Sequence, residues 1–268
     1  MWIKLVKDAH CRVVNENGEF CNCVLIKQYL FLAHATSYWN VSSFMIHRAS
    51  PEVEKLLSPE QAGCRRNCST CEQVVALTTH IENGFQQQLK TGAVFLDLTA
   101  AYNTVWHTGL LYKLSKNIPH WFARLIELFL HDQRFRVHMG DDTSTWRSQV
   151  NGLLQGSVLS PTLFNLYTND LPVTGFRKFI YADDMCLTKQ AQGYSELECC
   201  LSSDMVRMAS YCRIWRLKPS PMKTVTSMFH LLNISAAREL RVHMEGQQLR
   251  HGMVWYGIVE FNVPLDTV

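Results

Sequence analysis

Phe179-Ile180-Tyr181-Ala182-Asp183-Asp184-Met185-Cys186-Leu187 places two adjacent carboxylates where two apolar, strand-like runs meet. Neighbouring aspartates repel each other, interrupt a strand pattern and gain nothing from burial, so their position among aromatic and aliphatic residues calls for a compensating cation. Mg²⁺ suits them best: it takes hard oxygen ligands, draws one or two carboxylates from the protein, and fills its other positions with water and substrate phosphates. Such a site wants a further carboxylate at the end of another apolar strand, and Ala93-Val94-Phe95-Leu96-Asp97 offers one. For the pair alone, the alternative is a hairpin turn in which Asp183 caps the backbone and Asp184 is simply solvated.

Working outward, Glu196 to Trp215 reads as a helix with a face of Leu197, Leu201, Met205, Met208 and Tyr211. A basic loop, Arg216 to Thr224, precedes a strand from Val225 to Leu231, and a hairpin is expected around Glu245-Gly246. Upstream, Asn151 to Ser157 is a glycine-bearing loop leading into a helix of Leu163, Phe164, Leu166 and Tyr167. Before it, Arg134 to Met139 alternates strictly and is expected to return as a strand over Thr145 to Val150, one face apolar and the other basic. Trp121, Leu125, Leu128 and Phe129 form the expected face of an earlier helix, and Val74, Val75, Leu77 and Ile81 that of another. The resulting order of strand, helix, hairpin, helix, hairpin, helix and strand is α+β, with helices packed on one face of an antiparallel sheet. Asp97 and Asp183 are then expected to meet at the edge of that sheet.

The chain has 268 residues, 47% of them apolar, which is ample for one domain or two lobes with a substantial core. A net charge of +3 is too small to argue for nucleic acid by itself, so any phosphate binding must fall to a local basic strip. The nearest thing to a membrane segment, Val24 to Ala33, is interrupted by Lys27 and is far short of the ~20 residues that a membrane span needs. The expectation is therefore an intracellular protein, in the cytoplasm or nucleus, neither secreted nor membrane-bound. Ten cysteines are many, yet neighbours such as Cys199-Cys200 cannot easily bridge each other, and free thiols are the expected state. Cys64-x3-Cys68-x2-Cys71 has the spacing of an iron–sulfur loop; the pattern puts Cys71 in the following helix, which argues against it.

Taken together, Phe95-Leu96-Asp97-Leu98-Thr99-Ala100-Ala101-Tyr102, then Leu154-Gln155-Gly156-Ser157-Val158-Leu159-Ser160-Pro161-Thr162-Leu163-Phe164, then Tyr181-Ala182-Asp183-Asp184 resemble the reverse transcriptases of non-LTR (LINE) retrotransposons of the jockey-like kind, in order and spacing. Leu57 to Gly63 is similar to the motif that precedes these, and Tyr211-Cys212 through Lys223-Thr224 to the one that follows the acidic hairpin. The resemblance implies the palm of a right-hand polymerase with partial fingers. Its chemistry is in-line transfer from a dNTP to a DNA primer 3′-hydroxyl on an RNA template, with two Mg²⁺ (or Mn²⁺) ions ~3.5–4 Å apart at the attacking and leaving oxygens. It makes Asp97 and Asp183 the main metal ligands, with Asp184 completing the cluster. Tyr102 becomes the residue beneath the sugar that excludes a 2′-hydroxyl, or a core aromatic, or both. Gln155, Gly156 and Ser157 lie along the template and incoming base, although Ser157 can equally be a helix cap. Lys223 matches the lysine that protonates or neutralises departing pyrophosphate, its alternative being a solvated loop lysine. Arg65 and Arg66 are candidate forks for the triphosphate.

The resemblance divides the chain into an unassigned segment, 1–42, a fingers and palm domain, 43–256, and a tail, 257–268, with the thumb expected to be absent. Asn103, Leu154, Cys64 and Cys68 depart from the residues usual in the family at those places. They support an alternative in which the fold persists without catalysis, as an RNA- or protein-binding remnant.

Overall fold

The computed structural model describes residues 11–14, 20–25, 47, 49, 51–139, 142–154, 157–231 and 238–252. In chain order, its first elements are β1 (Cys11–Val14), β2 (Phe20–Leu25), α1 (Thr70–Gln86), β3 (Lys90–Leu96), α2 (Ala101–Thr104), α3 (His107–Asn117), α4 (His120–Leu130) and β4 (Arg134–Met139). There follow β5 (Asp142–Thr143), β6 (Arg147–Ser148), α5 (Leu159–Tyr167), β7 (Arg177–Tyr181), β8 (Asp184–Ala191), α6 (Tyr194–Ile214), β9 (Val225–Phe229), β10 (His243–Met244), β11 (Gln247–Gln248) and β12 (Arg250–His251). Residues 51–56 are also helical. The described residues form two compact units, one from those up to Leu57 with 102–167, the other from 58–101 with those from Thr168 to Gly252.

The second unit is built on a five-stranded sheet in the order β12-β9-β3-β8-β7. Its pairs are antiparallel except for β12 with β9, which is parallel. β3 is central because its apolar run has no polar side: Ala93 and Val94 are both completely buried. On one face, Leu77 and Ile81 of α1 pack with Ala93, Phe179, Cys186 and Phe229. On the other, a Cβ at Gly92 would meet Leu201 of α6 at 2.8 Å and Leu197 at 3.6 Å. Successive strand residues face opposite ways, so α1 and α6 cover opposite faces. The α+β fold and antiparallel core thus match expectation, but the sheet is covered on both faces. α1 opens with a capping box, Ser69 Oγ accepting from Glu72 N at 3.2 Å and Glu72 Oε2 accepting from Ser69 N at 2.9 Å. Cys71 therefore lies in the helix. The buried stripe of α1 is narrower than expected, with Val75 62% exposed.

In the first unit, β1, β2, β4 and β5 form an antiparallel sheet to which β6 adds by pairing with β4. Of the expected return strand over 145–150 only Arg147–Ser148 forms, as β6, and a separate piece, β5, lies before it at Asp142–Thr143. Ser144 explains the gap between them: its Oγ accepts from Val137 N at 2.8 Å, replacing a backbone partner, while its own N–H donates to Val137 O. The expected apolar and basic faces of β4 are not separated by burial, since residues 134–137 are all half-buried. α4 buries Phe122, Ile126, Phe129 and Leu130 and leaves Trp121 and Leu128 40% and 57% exposed, a correction to the expected face. Both 121/125/128/129 and 122/126/129/130 are helical stripes of apolar residues, so periodicity alone does not choose between them. α5 buries Leu163, Phe164, Leu166 and Tyr167, as expected.

Candidate active site

The antiparallel pairing of β3 with β8 sets Leu96 opposite Met185. One step further along the same register, Asp97 stands level with Asp184. β7 and β8 are joined by a two-residue turn, with Tyr181 paired to Asp184 and Ala182-Asp183 at the tip. Ala182 has φ of 57° and Asp183 does not share the left-handed region, the pattern of a type II′ hairpin. Three carboxylates from two strands are thereby brought to one end of the sheet.

Their electrostatics show the crowding. Burial raises the Asp183 pKa, its own backbone N–H partly offsets this, and the charge of Asp97 raises it again. Asp184 is raised by burial of its carboxyl group and then by the charges of Asp183 and Asp97. Asp184 as a residue is exposed, so solvent screens it more than Asp183, but the direction is the same. Asp97 Oδ1 is buried without a hydrogen-bond partner. An orphaned buried carboxylate oxygen beside two more carboxyl groups fits a hard divalent cation. Among the described residues, no three His, Cys, Asp or Glu side chains stand close enough to hold a metal ion unaided. One or two carboxylates completed by water and phosphates is the usual arrangement for Mg²⁺.

The basic loop expected after α6 is tied to Asp97 on both sides of its peptide unit. Ser220 N donates to Asp97 O at 2.9 Å, Asp97 N donates to Thr224 Oγ1 at 3.3 Å, and Thr99 N donates to Lys218 O at 2.7 Å. Lys223 sits in this loop with its side chain exposed. On the opposite flank, Glu60 to Ala62 runs parallel to β7: Ile180 N donates to Glu60 O and Ala62 N to Ile180 O. Arg65 Nη1 donates to the carbonyls of Ser58 and Gln61, both at 2.8 Å, so part of this guanidinium holds its own loop. Arg66 is exposed. Cys64, Cys68 and Cys71 carry free thiols.

Tyr102 and Ser157 belong to the first unit. Tyr102 stacks on Phe164 with ring centroids 4.7 Å apart and its carbonyl accepts from Leu153 N. Ser157 Oγ accepts from Leu159 N at 3.3 Å, the cap geometry. Gln155 and Gly156 lie outside the described residues. Gln61 and Thr224 bind the backbone of the aspartate-bearing segments and are not among the site residues that the sequence suggests. For Gln61 the available signal was a polar amide followed by Ala62-Gly63, two small residues that allow close backbone approach.

Residues 35–249 match the family model described as reverse transcriptase (RNA-dependent DNA polymerase). The chain belongs to the reverse transcriptase family. It is 35% identical over 190 residues to the probable RNA-directed DNA polymerase from transposon BS of Drosophila melanogaster, covering 68% of this chain and 21% of that protein. It is 33% identical over 150 residues to the RNA-directed DNA polymerase from mobile element jockey of Drosophila funebris, covering 52% and 16%. This reverse transcriptase chain thus spans about a fifth of the length of the curated relatives it matches, and the jockey-like resemblance is borne out. In fold it is similar to apo telomerase from Candida tropicalis, with a TM-score of 0.57 at 11% identity over 87% of this chain and 54% of that one. A second telomerase structure from the same organism, in complex with a fragment of telomeric RNA, gives a TM-score of 0.56 at 12% identity over 93% and 46%. At such identities the likeness is one of fold, the partial palm and fingers of a reverse transcriptase. No helix among the described residues is long and apolar enough to cross a membrane.

Proposed function

We propose that Asp97, Asp183 and Asp184 form the centre of RNA-templated DNA synthesis, with dNTP, DNA primer and RNA template as its substrates and partners. The observation that carries this is the β3–β8 register, which brings Asp97 with its unpartnered buried oxygen beside the Asp183-Asp184 turn. Asp97 and Asp183 would hold the divalent ions, with Asp184 adding charge at the exposed side. Mg²⁺ or Mn²⁺, when bound, would stabilise charge on the attacking and leaving oxygens. The chain's own contribution is to fix where the carboxylates stand. The Ser220 and Thr224 contacts hold the Asp97 backbone, and the hairpin turn holds Asp183. Lys223, exposed on the loop bound to Asp97, is the group to meet departing pyrophosphate. Arg65 and Arg66 serve the triphosphate; Tyr102, Gln155, Gly156 and Ser157 serve the sugar, template and base. On this reading, fingers and palm occupy residues 43–256, and the protein works inside the cell, where these substrates occur.

Primer extension on an RNA template by the purified chain with Mg²⁺ or Mn²⁺ tests the proposal, with Asp183→Asn as the blank. Extension that disappears in Asp183→Asn is the expected result. RNA binding without any nucleotide addition under either metal would instead favour the catalytically silent remnant.

A further inference from the structure

Ala182, the first residue of the acidic turn, is held by a side chain from a distant segment. Gln61 is buried, 5% exposed, and its amide grips both polar atoms of Ala182. Oε1 accepts from Ala182 N at 2.8 Å, and Nε2 donates to Ala182 O at 3.0 Å. The same oxygen accepts from Gly63 N at 2.8 Å. Two N–H donors on one side and a carbonyl on the other settle which end of the amide is oxygen.

The grip is backed by the surrounding segment. Gln61 bridges in parallel to Ile180, Arg65 Nη1 donates to the Gln61 carbonyl, and Glu60 forms an ion pair with Lys178 at 3.3 Å. Gly63 lies so close to the turn that a Cβ there would fall 2.0 Å from Ala182 N. The hairpin ladder supplies no partner for the N–H and carbonyl of Ala182, since Tyr181 pairs with Asp184 and the turn residues lie beyond it. A hairpin tip without Gln61 would leave these atoms to solvent and free the peptide that carries Asp183.

We infer that Gln61 is a positioning residue for the metal-binding carboxylates, acting through Ala182 to fix the place of Asp183. This rests on the active-site reading above and adds to it a residue outside the carboxylate cluster. Outer-shell partners of metal ligands typically cost about 10–100-fold in metal affinity when removed, because they set ligand orientation.

The test compares the unmodified chain with Gln61→Met, which is similar in length but has no amide, and with Leu77→Ala, a buried change that weakens the core away from the turn. Mn²⁺ affinity is read by electron paramagnetic resonance of the free ion, and hydrogen exchange at the Ala182 amide by mass spectrometry or NMR. Gln61→Met is expected to weaken Mn²⁺ binding about tenfold or more and to speed Ala182 exchange by a similar factor, whereas Leu77→Ala leaves Mn²⁺ affinity within about twofold. Equal Mn²⁺ affinity in Gln61→Met and the unmodified chain would overturn this inference alone. Unchanged exchange at Ala182 would do the same by showing that no clamp exists, and an equal loss of affinity in Leu77→Ala would reduce the role of Gln61 to general stability. Failure of the unmodified chain to bind Mn²⁺ would overturn the active-site reading and this inference with it.

Discussion

Ala182 occupies a left-handed conformation that costs an L-residue roughly 1–2 kcal/mol, and the neighbouring Gly63 and Gln61 leave it little freedom to relax. Gly63→Ala should therefore be among the most damaging single changes in the chain, with a loss of about 1–3 kcal/mol or more in urea unfolding, because the clashing atom is backbone. Asp183 works in the opposite sense. Its pKa is raised in the fold, so the native state binds protons more readily than the unfolded chain, and stability from this group falls as pH rises through the folded value. Asp183→Asn should then raise the melting temperature in metal-free buffer at pH 7, by ~2–4 °C for each kcal/mol relieved of the cost of burying the charge and of its repulsion by Asp97. The advantage should vanish below the ordinary aspartate value of 3.8, where Asp183 is protonated in both states. Melting curves of both proteins across that range check the sign. The aspartates themselves were legible in the sequence because adjacent carboxylates among apolar residues have few explanations. Gln61 was not, since an amide shows its purpose only through the backbone atoms that it meets.

At the scale of elements, the sequence shows periodicity better than phase. In α4 the residues His120 to Leu130 offer two overlapping apolar stripes, and tertiary packing selects Phe122, Ile126, Phe129 and Leu130. Phe122→Ala should accordingly cost about 3–5 kcal/mol, while Leu128→Ala, on the exposed side, should stay within about 0.5 kcal/mol; chemical denaturation of the two variants separates the stripes. β3 was legible as a strand ending at Asp97, but Ala93-Val94-Phe95-Leu96 also carried a message about layers. A strand apolar on both sides is covered on both sides, and α1 and α6 supply the covers. The gap between β5 and β6 holds one serine hydroxyl, that of Ser144, competing with the backbone, which no strand pattern reveals.

At the scale of the molecule, ordered motifs separated by long intervals identified the family because a fold brings distant segments to one place. Asp97 and Asp183 belong to the same compact unit, so the carboxylate cluster does not depend on the arrangement of the two units. Divalent cation should stabilise the chain by binding the native state, and saturation at ~100 times the dissociation constant would contribute about 2.7 kcal/mol. That gain should be largely lost in Asp97→Asn, a result that thermal shift with and without Mn²⁺ would show. Crystals of the chain soaked in Mn²⁺ and measured at the manganese absorption edge give the most direct test of the account. An anomalous peak is expected within bonding distance of both the Asp97 and Asp183 carboxylates. Carboxylates more than ~8 Å apart, beyond the reach of bridging metals, or manganese bound elsewhere with both aspartates free, would contradict it.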